Sequence, residues 1–363
     1  MGSGAVRKNW NMQPSDQPRR RVTGLLPKEK TTMPEDSVSE IASLSVGLSH
    51  DVRPSHDQVV CTLFEGHYHF GLAVLINSML QGGFKGLVWA GYRGALPPWM
   101  AQLKQIGPDH FELANGATLY FEKLDTKTHF TNLKPEFMLH LVRDGIAKNL
   151  LWYIDPDITV RCSWEFMTEW LDFGIALCEE VINGSMPERH PLRCKWVQAA
   201  KLAGWSDPVV PQTRYFNGGF IGLKVAYAGF LERWKDAIAL AEHHGMDVSA
   251  FMKGSREDTF YASDQDTLNL AAMYAEEPLS PIGPEGMGFV PGGFTLYHSV
   301  GSPKPWRKPF VQAALQGNPP SNGEKHFLAC AAGPIPIYTS SQLKRLRRSI
   351  AVASLIGRFY RRG

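Results

Sequence analysis

The sequence predicts an α/β fold: a mostly parallel sheet with helices on both faces, forming a single large domain with a tail at each end. Two observations carry this prediction. Runs dense in Val, Ile, Leu, Trp and Tyr recur without polar alternation, as in residues 59–64 and 150–154, the composition of strands covered on both faces. Between them stand segments whose apolar residues keep helical spacing, and strands alternating with helices in this way require parallel pairing. A third observation locates the chemistry. The run Leu150-Leu151-Trp152-Tyr153-Ile154 ends on Asp155-Pro156-Asp157, and ligands in such sheets sit beyond the carboxyl ends of the strands.

The chain has 363 residues, 44% of them apolar, with 10 Trp and 19 Phe. That is enough for one sizeable core. Five cysteines, Cys61, Cys162, Cys178, Cys194 and Cys330, are widely spaced with no C-x-x-C pair. The pattern argues against a disulfide framework or a zinc site and for a reducing cytosol. The N-terminus has no apolar leader segment and no run long enough to span a membrane, so a cytoplasmic protein is expected. The net charge is +3; residues 342–363 hold +7 and residues 1–58 hold +1, so the remainder carries −5. Basicity belongs to the C-terminal tail, and the globular part is mildly acidic.

Residues 1–57 are rich in Ser, Pro and charge without apolar period and read as disordered. A domain over 58–330 follows, then a tail over 331–363. The first strand, 59–64, breaks at Glu65-Gly66-His67-Tyr68. Leu72, Leu75, Ile76, Met79 and Leu80 then keep helical spacing up to Gly82-Gly83. Residues 86–90 form a second strand, and Pro97-Pro98-Trp99 opens a second helix. Residues 118–121 are a third strand and 135–142 a third helix, which leads into the central strand at 150–154. Further strands are expected at 173–178 and 215–223, and helices at 190–203 and 225–242. The last helix places Phe230, Trp234, Ile238 and Ala241 on one face. Ser263-Asp264-Gln265-Asp266 reads as the start of another helix, with Ser263 as cap and acids at the positive dipole end.

Several of these stretches carry chemistry. Two carboxylates end a buried strand at Asp155 and Asp157, where unpaired charge is costly. Being two residues apart around a proline, they can turn toward one hard divalent cation, Mn²⁺ or Mg²⁺. The same pair also reads as a solvated turn. Asn217-Gly218-Gly219 inside a strand-like run lets backbone approach a ligand, or marks a tight bend. His298 is a candidate nitrogen ligand and Lys304 a compact cation for phosphate, with Gly301 between them. In isolation that segment reads as a solvated loop. No G-x-G-x-x-G or G-x-x-x-x-G-K-[ST] occurs, so phosphate must be held by metal and side chains.

Together the motifs resemble the GT-A fold nucleotide-sugar glycosyltransferases, most of all the retaining family 8 group that includes glycogenin and bacterial lipopolysaccharide galactosyl- and glucosyltransferases. His298-x-x-Gly301-x-x-Lys304-Pro305-Trp306 matches that family's H-x-x-G-x-x-K-P-W. Asp155-Pro156-Asp157 matches its D-x-D, Phe216-Asn217-Gly218-Gly219 resembles its F-N-[ST]-G, and Asp264-Gln265-Asp266 matches its D-Q-D. The order agrees from residue 59 to about 310. The first strand departs from the family, ending in Glu65-Gly66-His67-Tyr68 where Asp and Asn are usual.

The resemblance implies a hexosyltransferase moving glucose or galactose from UDP to a saccharide or lipid-linked saccharide, with retention. An inverting or other GT-A family transferase, or a nucleotide-sugar binder without turnover, is the alternative. Asp155, Asp157 and His298 would hold Mn²⁺ or Mg²⁺. Thr62, Glu65, Lys134, Asn217, Gly218, Gly301 and Lys304 would bind the donor. Asp264, Gln265 and Lys304 would act at the reacting centre. No specific nucleic acid is implied.

In the tail, Leu343, Leu346, Ile350 and Ala353 keep helical spacing amid Lys344, Arg345, Arg347, Arg348, Arg358, Arg361 and Arg362. A basic amphipathic helix of this kind can lie on an anionic bilayer, making the enzyme peripheral on the inner face of a membrane. Docking of the helix on its own domain is the other reading.

Overall fold

A computed structural model describes residues 53–181 and 186–360. The expected disorder of residues 1–57 falls, up to residue 52, outside them, as do Arg361 and Arg362. The elements are β1 (His56–Glu65), α1 (His69–Gln81), β2 (Leu87–Arg93), β3 (Gln105–Gly107), β4 (His110–Glu112), β5 (Thr118–Lys123), α2 (Phe130–Arg143), β6 (Ala147–Ile154) and β7 (Ile158–Val160). Then come α3 (Trp164–Trp170), β8 (Ile175–Cys178), α4 (Pro191–Leu202), β9 (Phe220–Lys224), α5 (Gly229–His243), α6 (Ser263–Met273), β10 (Leu279–Ile282), β11 (Leu296–His298), α7 (Phe310–Leu315), α8 (Asn322–Cys330) and α9 (Ser340–Tyr360).

One sheet runs in the order β10-β8-β9-β6-β1-β2-β5-β4-β3. Its centre, β6-β1-β2-β5, is parallel throughout. β9 is antiparallel to β6 and β8, and β3 and β4 form an antiparallel edge. Successive residues of β1 feed opposite layers, as the two-residue period requires. Val60 and Phe64 join a core with α1 and α3, while Val59, Cys61 and Leu63 join one with α2, α5 and α6. Trp89, Trp152 and Trp234 are fully buried, each worth up to about 3 kcal/mol of apolar burial. The face predicted for 225–242 is correct: Phe230, Trp234, Ile238 and Ala241 are all buried.

Four elements differ from expectation, one of them the start of α6, where Ser263 is the first helical residue behind Ala262 and its side chain makes no capping bond. Pro97-Pro98-Trp99 opens only a 3-10 turn, Pro98–Gln102; the chain then returns as the β3–β4 hairpin, so β2 and β5 are joined without a full helix. Two consecutive prolines fix extended backbone and remove donors, which suits a turn more than a helix. α2 starts at Phe130 and carries Pro135 inside it, five residues earlier than a proline-first reading allows. His129 supplies the missing start signal, its side chain accepting from the Thr131 amide. The strand expected over 215–223 is ladder-paired only from Phe220, and Phe216 makes a single bridge to Glu179.

The tail is part of the fold. Ile350 and Ala353 of α9 are buried in a cluster with Val74, Phe310, Phe327 and Ala331, and Leu343, Leu346 and Ile356 pack against it. The apolar stripe that the sequence assigns to a bilayer is thus covered by α7 and α8. On the outer face Val352, Leu355 and Phe359 are exposed. Among the described residues no helix is long and apolar enough to cross a membrane.

Candidate active site

Segments distant in sequence meet at the carboxyl edge of the sheet, some at strand ends and others on helices α2 and α6. β6 delivers Asp155 and Asp157. The two-stranded β7–β11 ribbon pairs His298 with Ile158, and the Ser299 amide donates to the Asp157 carbonyl at 3.0 Å. Ligating atoms of Asp155, Asp157 and His298 consequently lie within 4.8 Å of one another. His298 Nε2 is 3.3 Å from an Asp157 oxygen, while its Nδ1 is buried with no hydrogen-bond partner. Two carboxylates and an imidazole with an orphaned buried nitrogen fit a divalent ion of the Mn²⁺ or Mg²⁺ kind.

Two lysines neutralise this acidic centre. Lys134, from α2, is only 1% exposed and donates to Asp264 at 2.8 Å, to the Gly218 carbonyl at 2.8 Å and to Asp155 at 3.3 Å. Burial works to lower its pKa, but Asp155 and Asp264 outweigh burial and raise it. Lys304 contacts the Asp157 carboxylate and donates to the Ser299 carbonyl at 3.1 Å. Burial again opposes its charge and Asp157 restores it, so its pKa is raised.

The two carboxylates consequently diverge. Burial pushes both upward. At Asp157 the neighbouring His298 and Lys304 prevail and hold it well below the usual carboxylate range. At Asp155 burial prevails over Lys134, reinforced by Asp157, and its pKa is raised. Tyr153 also donates to Asp155 at 2.8 Å.

The third side of the site is a polar chain around Gln265, on the first turn of α6. Its Oε1 accepts from Asn217 Nδ2 at 3.1 Å and from the Gly218 amide at 3.0 Å. Asn217 also donates to the buried carboxylate of Glu180 at 2.5 Å. A Cβ on Gly219 would sit 2.8 Å from Asp155 and 3.0 Å from the His298 ring, so glycine is required where this turn meets the acidic centre. Gly301 has φ +85°, a left-handed turn that folds the 299–306 loop back over β1. There Trp306 Nε1 donates to His67 at 2.9 Å and meets the Tyr68 ring at 5.4 Å between centroids.

The residues expected to ligate metal and to act at the reacting centre are therefore gathered together, with Lys134, Asn217 and Gly218 among them. Glu65 lies at the same edge but faces Arg93, at 2.9 Å. Thr62 is fully buried inside the sheet. Glu180 was missed from sequence: it stands second after β8, next to Glu179, where nothing local distinguishes the two carboxylates. Tyr153 and Tyr68 were masked by their aromatic neighbours in apolar or mixed runs.

Neither a scan against family models nor a search of curated proteins gave a match. Among solved structures the chain is similar to the bifunctional glycosyltransferase WbbM, at 13% identity over 83% of this chain with a TM-score of 0.49. It spans 53% of that protein's length. It is similar to the galactosyltransferase LgtC, solved with donor and acceptor sugar analogues, at 13% identity over 79% of this chain and all of that one, TM-score 0.48. A third is the glycosyltransferase GlyE of Streptococcus pneumoniae TIGR4, at 14% identity over 83% of this chain and 64% of that one, TM-score 0.44. These likenesses are partial, and the case for an activity rests on the side chains.

Proposed function

We propose that this chain is a metal-dependent glycosyltransferase of the GT-A fold. It would transfer a hexosyl group from a UDP-sugar, UDP-glucose or UDP-galactose, to a saccharide or lipid-linked saccharide hydroxyl. The observation that carries the reading is the meeting of Asp155, Asp157 and His298 with Lys304 and Lys134 at one sheet edge. Carboxylates, an imidazole and two ammonium groups at one edge of the sheet are what a bound diphosphate with its counter-ion needs.

An ion held by Asp155, Asp157 and His298 would supply Lewis-acid charge to the departing diphosphate. Lys304 would move from Asp157 to the phosphates and meet the charge that grows on them, an interaction strongest in the transition state. Lys134 holds the Asp264 side chain in place through their 2.8 Å ion pair, and that carboxylate would accept from sugar hydroxyls. Asn217, oriented by Glu180, and Gln265 would complete the sugar pocket. Glycosyl transfer passes through an oxocarbenium-like state; with retention, the amide of Gln265 would offer no nucleophile and front-side attack by the acceptor hydroxyl would be the route. Asp264 is the carboxylate able to act as a nucleophile instead.

We further assign a membrane-facing role to α9, now through its outer face rather than its inner stripe. Exposed Val352, Leu355 and Phe359 lie beside Arg345, Arg348 and Arg358, a combination suited to an anionic bilayer surface. The test of the activity is a screen of nucleotide-sugar hydrolysis with Mn²⁺, before and after EDTA. EDTA-sensitive release of UDP from one sugar nucleotide supports the reading. Tight binding of UDP-sugars with no turnover on any acceptor or water would make the protein a binder only.

A further inference from the structure

Outside the acidic centre, one exposed pair of rings stands on the same edge of the sheet. His129, between β5 and α2, stacks on Phe251 with centroids 5.8 Å apart and planes 27° apart. Phe251 is 55% exposed, and its neighbours hold the segment that carries it in place. The holding contacts are specific. The His129 amide donates to the Val248 carbonyl at 2.9 Å. Asn132, itself buried, donates to the carbonyls of Val248 at 2.9 Å and Ala250 at 3.4 Å. Lys253 closes the segment on Asp247 at 2.8 Å.

The rest of the His129 ring is committed too. Its Nδ1 accepts from the Thr131 amide at 3.3 Å, which puts the proton on Nε2 and leaves a donor at the edge of the ring. Burial lowers its pKa, Glu65 and Asp264 pull the other way, and Arg93 and Lys134 add to the lowering. Arg93, which Glu65 faces at 2.9 Å, lies 4.5 Å over the ring of Phe130, the next residue after His129, and Asp264 is bound at 2.8 Å to Lys134 of the same helix. The result is a flat, neutral, pinned aromatic surface next to carboxylates, five residues before Lys134 on the element that also supplies that lysine.

We propose that His129 and Phe251 form a platform that receives a pyranose ring of the acceptor saccharide, beside the donor site. The proposal rests on the transferase reading given above. A pyranose offers one apolar face of C–H groups and a rim of hydroxyls. The rings suit the face, because the negative faces of aromatic rings attract the positive C–H edges. The Nε2–H and neighbouring carboxylates suit the rim. A nucleobase could also stack on the rings, but the carboxylates of Glu65 and Asp264 at this edge of the sheet favour a ligand rich in hydroxyl donors.

The experiment uses the full chain with methyl glycosides of glucose, galactose and mannose as probes. Binding is read by saturation-transfer NMR in the presence of Mn²⁺ and UDP. At least one glycoside is expected to bind the wild type and to bind Phe251→Ala about fivefold to tenfold more weakly, as loss of a stacking partner predicts. Phe251→Trp should retain it. His129→Asn, which keeps a helix-capping side chain, should weaken it as well. The UDP affinity of Phe251→Ala should equal that of the wild type. Absence of glycoside binding to the wild type, or equal binding by Phe251→Ala, overturns the platform. Weaker UDP binding in Phe251→Ala with glycoside binding intact makes it a base-stacking surface and overturns it too. A wild type that neither binds nor hydrolyses nucleotide sugars would overturn the transferase reading separately; glycoside binding lost in Phe251→Ala would then still stand as a glycan site.

Discussion

The ammonium of Lys304 rests on the carboxylate of Asp157, the group that His298 also faces at 3.3 Å. One side chain therefore neutralises a metal-ligand candidate while being the cation that the proposed function assigns to the phosphates. Removing it should act in opposite directions on two ligands. Lys304→Ala is expected to bind Mn²⁺ alone about tenfold more tightly, since a competing cation is gone. With UDP present the same variant should bind the Mn²⁺–nucleotide pair more weakly and turn over more slowly. Lys304→Arg should not restore turnover, because a planar fork replaces a point charge. Calorimetry of Mn²⁺ with and without UDP checks this; loss of affinity in both arms would refute the exchange.

The second prediction concerns the ligand set itself. Asp155→Ala, Asp157→Ala and His298→Ala should each abolish the Mn²⁺-dependent part of UDP binding, as EDTA does for the wild type. Residual binding carried by Lys304 and Lys134 should be insensitive to EDTA. Unaltered metal dependence in all three variants would remove the metal site from this edge.

The third concerns Lys134, whose stem and ammonium are buried against two carboxylates. Lys134→Met leaves Asp155 and Asp264 facing each other without a cation, and breaking a buried pair in this way costs about 3–5 kcal/mol. Adding Asp264→Asn should recover part of the loss, because one uncompensated charge disappears. Denaturant midpoints measure both. A Lys134→Met protein as stable as the wild type would mean that the lysine serves the ligand only.

A fourth prediction lies away from the site. Glu122 accepts from Trp89 at 2.7 Å and faces His140 at 3.1 Å. Burial lowers the pKa of His140, but Glu122 outweighs it and the net shift is upward. A group whose folded pKa is raised contributes stability that is complete below its unfolded value and fades as pH rises through the folded one. His140→Gln should accordingly cost about 1–2 kcal/mol at pH 5.5, the worth of a charge-assisted hydrogen bond. The difference from the wild type should shrink toward pH 9. A cost that is flat across that range would mean that the imidazole packs without charging.

Much of this was legible in sequence because the informative residues are short-range exceptions to a strong pattern. Asp155 and Asp157 stand out as charges at the end of a buried strand, and the ring of β-α alternation fixes which edge they occupy. What stayed hidden depends on pairing across the fold. Glu180 follows a strand whose own neighbours, Glu179 and Val181, dilute the signal. The partnership of Lys134 with Asp264 spans 130 residues, a separation no local pattern encodes. The helix at Phe130 was obscured because Pro135 is a stronger local signal than a histidine cap. For α9 the periodicity was right and the partner was not: a stripe of Leu343, Leu346, Ile350 and Ala353 specifies that something apolar covers it, without specifying what.

The last prediction follows from that distinction. Since α7 and α8 cover the inner stripe, deleting residues 340–363 would expose the cluster around Phe310 and Phe327 and destabilise the domain, confounding any membrane assay. The outer face can be changed without that cost. Val352, Leu355 and Phe359 are 48%, 54% and 80% exposed, so replacing all three with Ser should shift stability by less than about 1 kcal/mol. Arg345→Glu with Arg348→Glu should be equally mild, as both side chains are solvated. If α9 meets an anionic bilayer, each cation near the surface contributes about 1 kcal/mol at most, and the three apolar side chains add a part that salt does not screen. Sedimentation with phosphatidylserine vesicles should then be strong at low salt and reduced, not abolished, at 0.5 M salt for the wild type. The triple Ser variant should lose the salt-resistant part, and the double Glu variant the salt-sensitive part. Wild-type protein that ignores such vesicles at low salt would show that α9 serves only to close the core over α7 and α8.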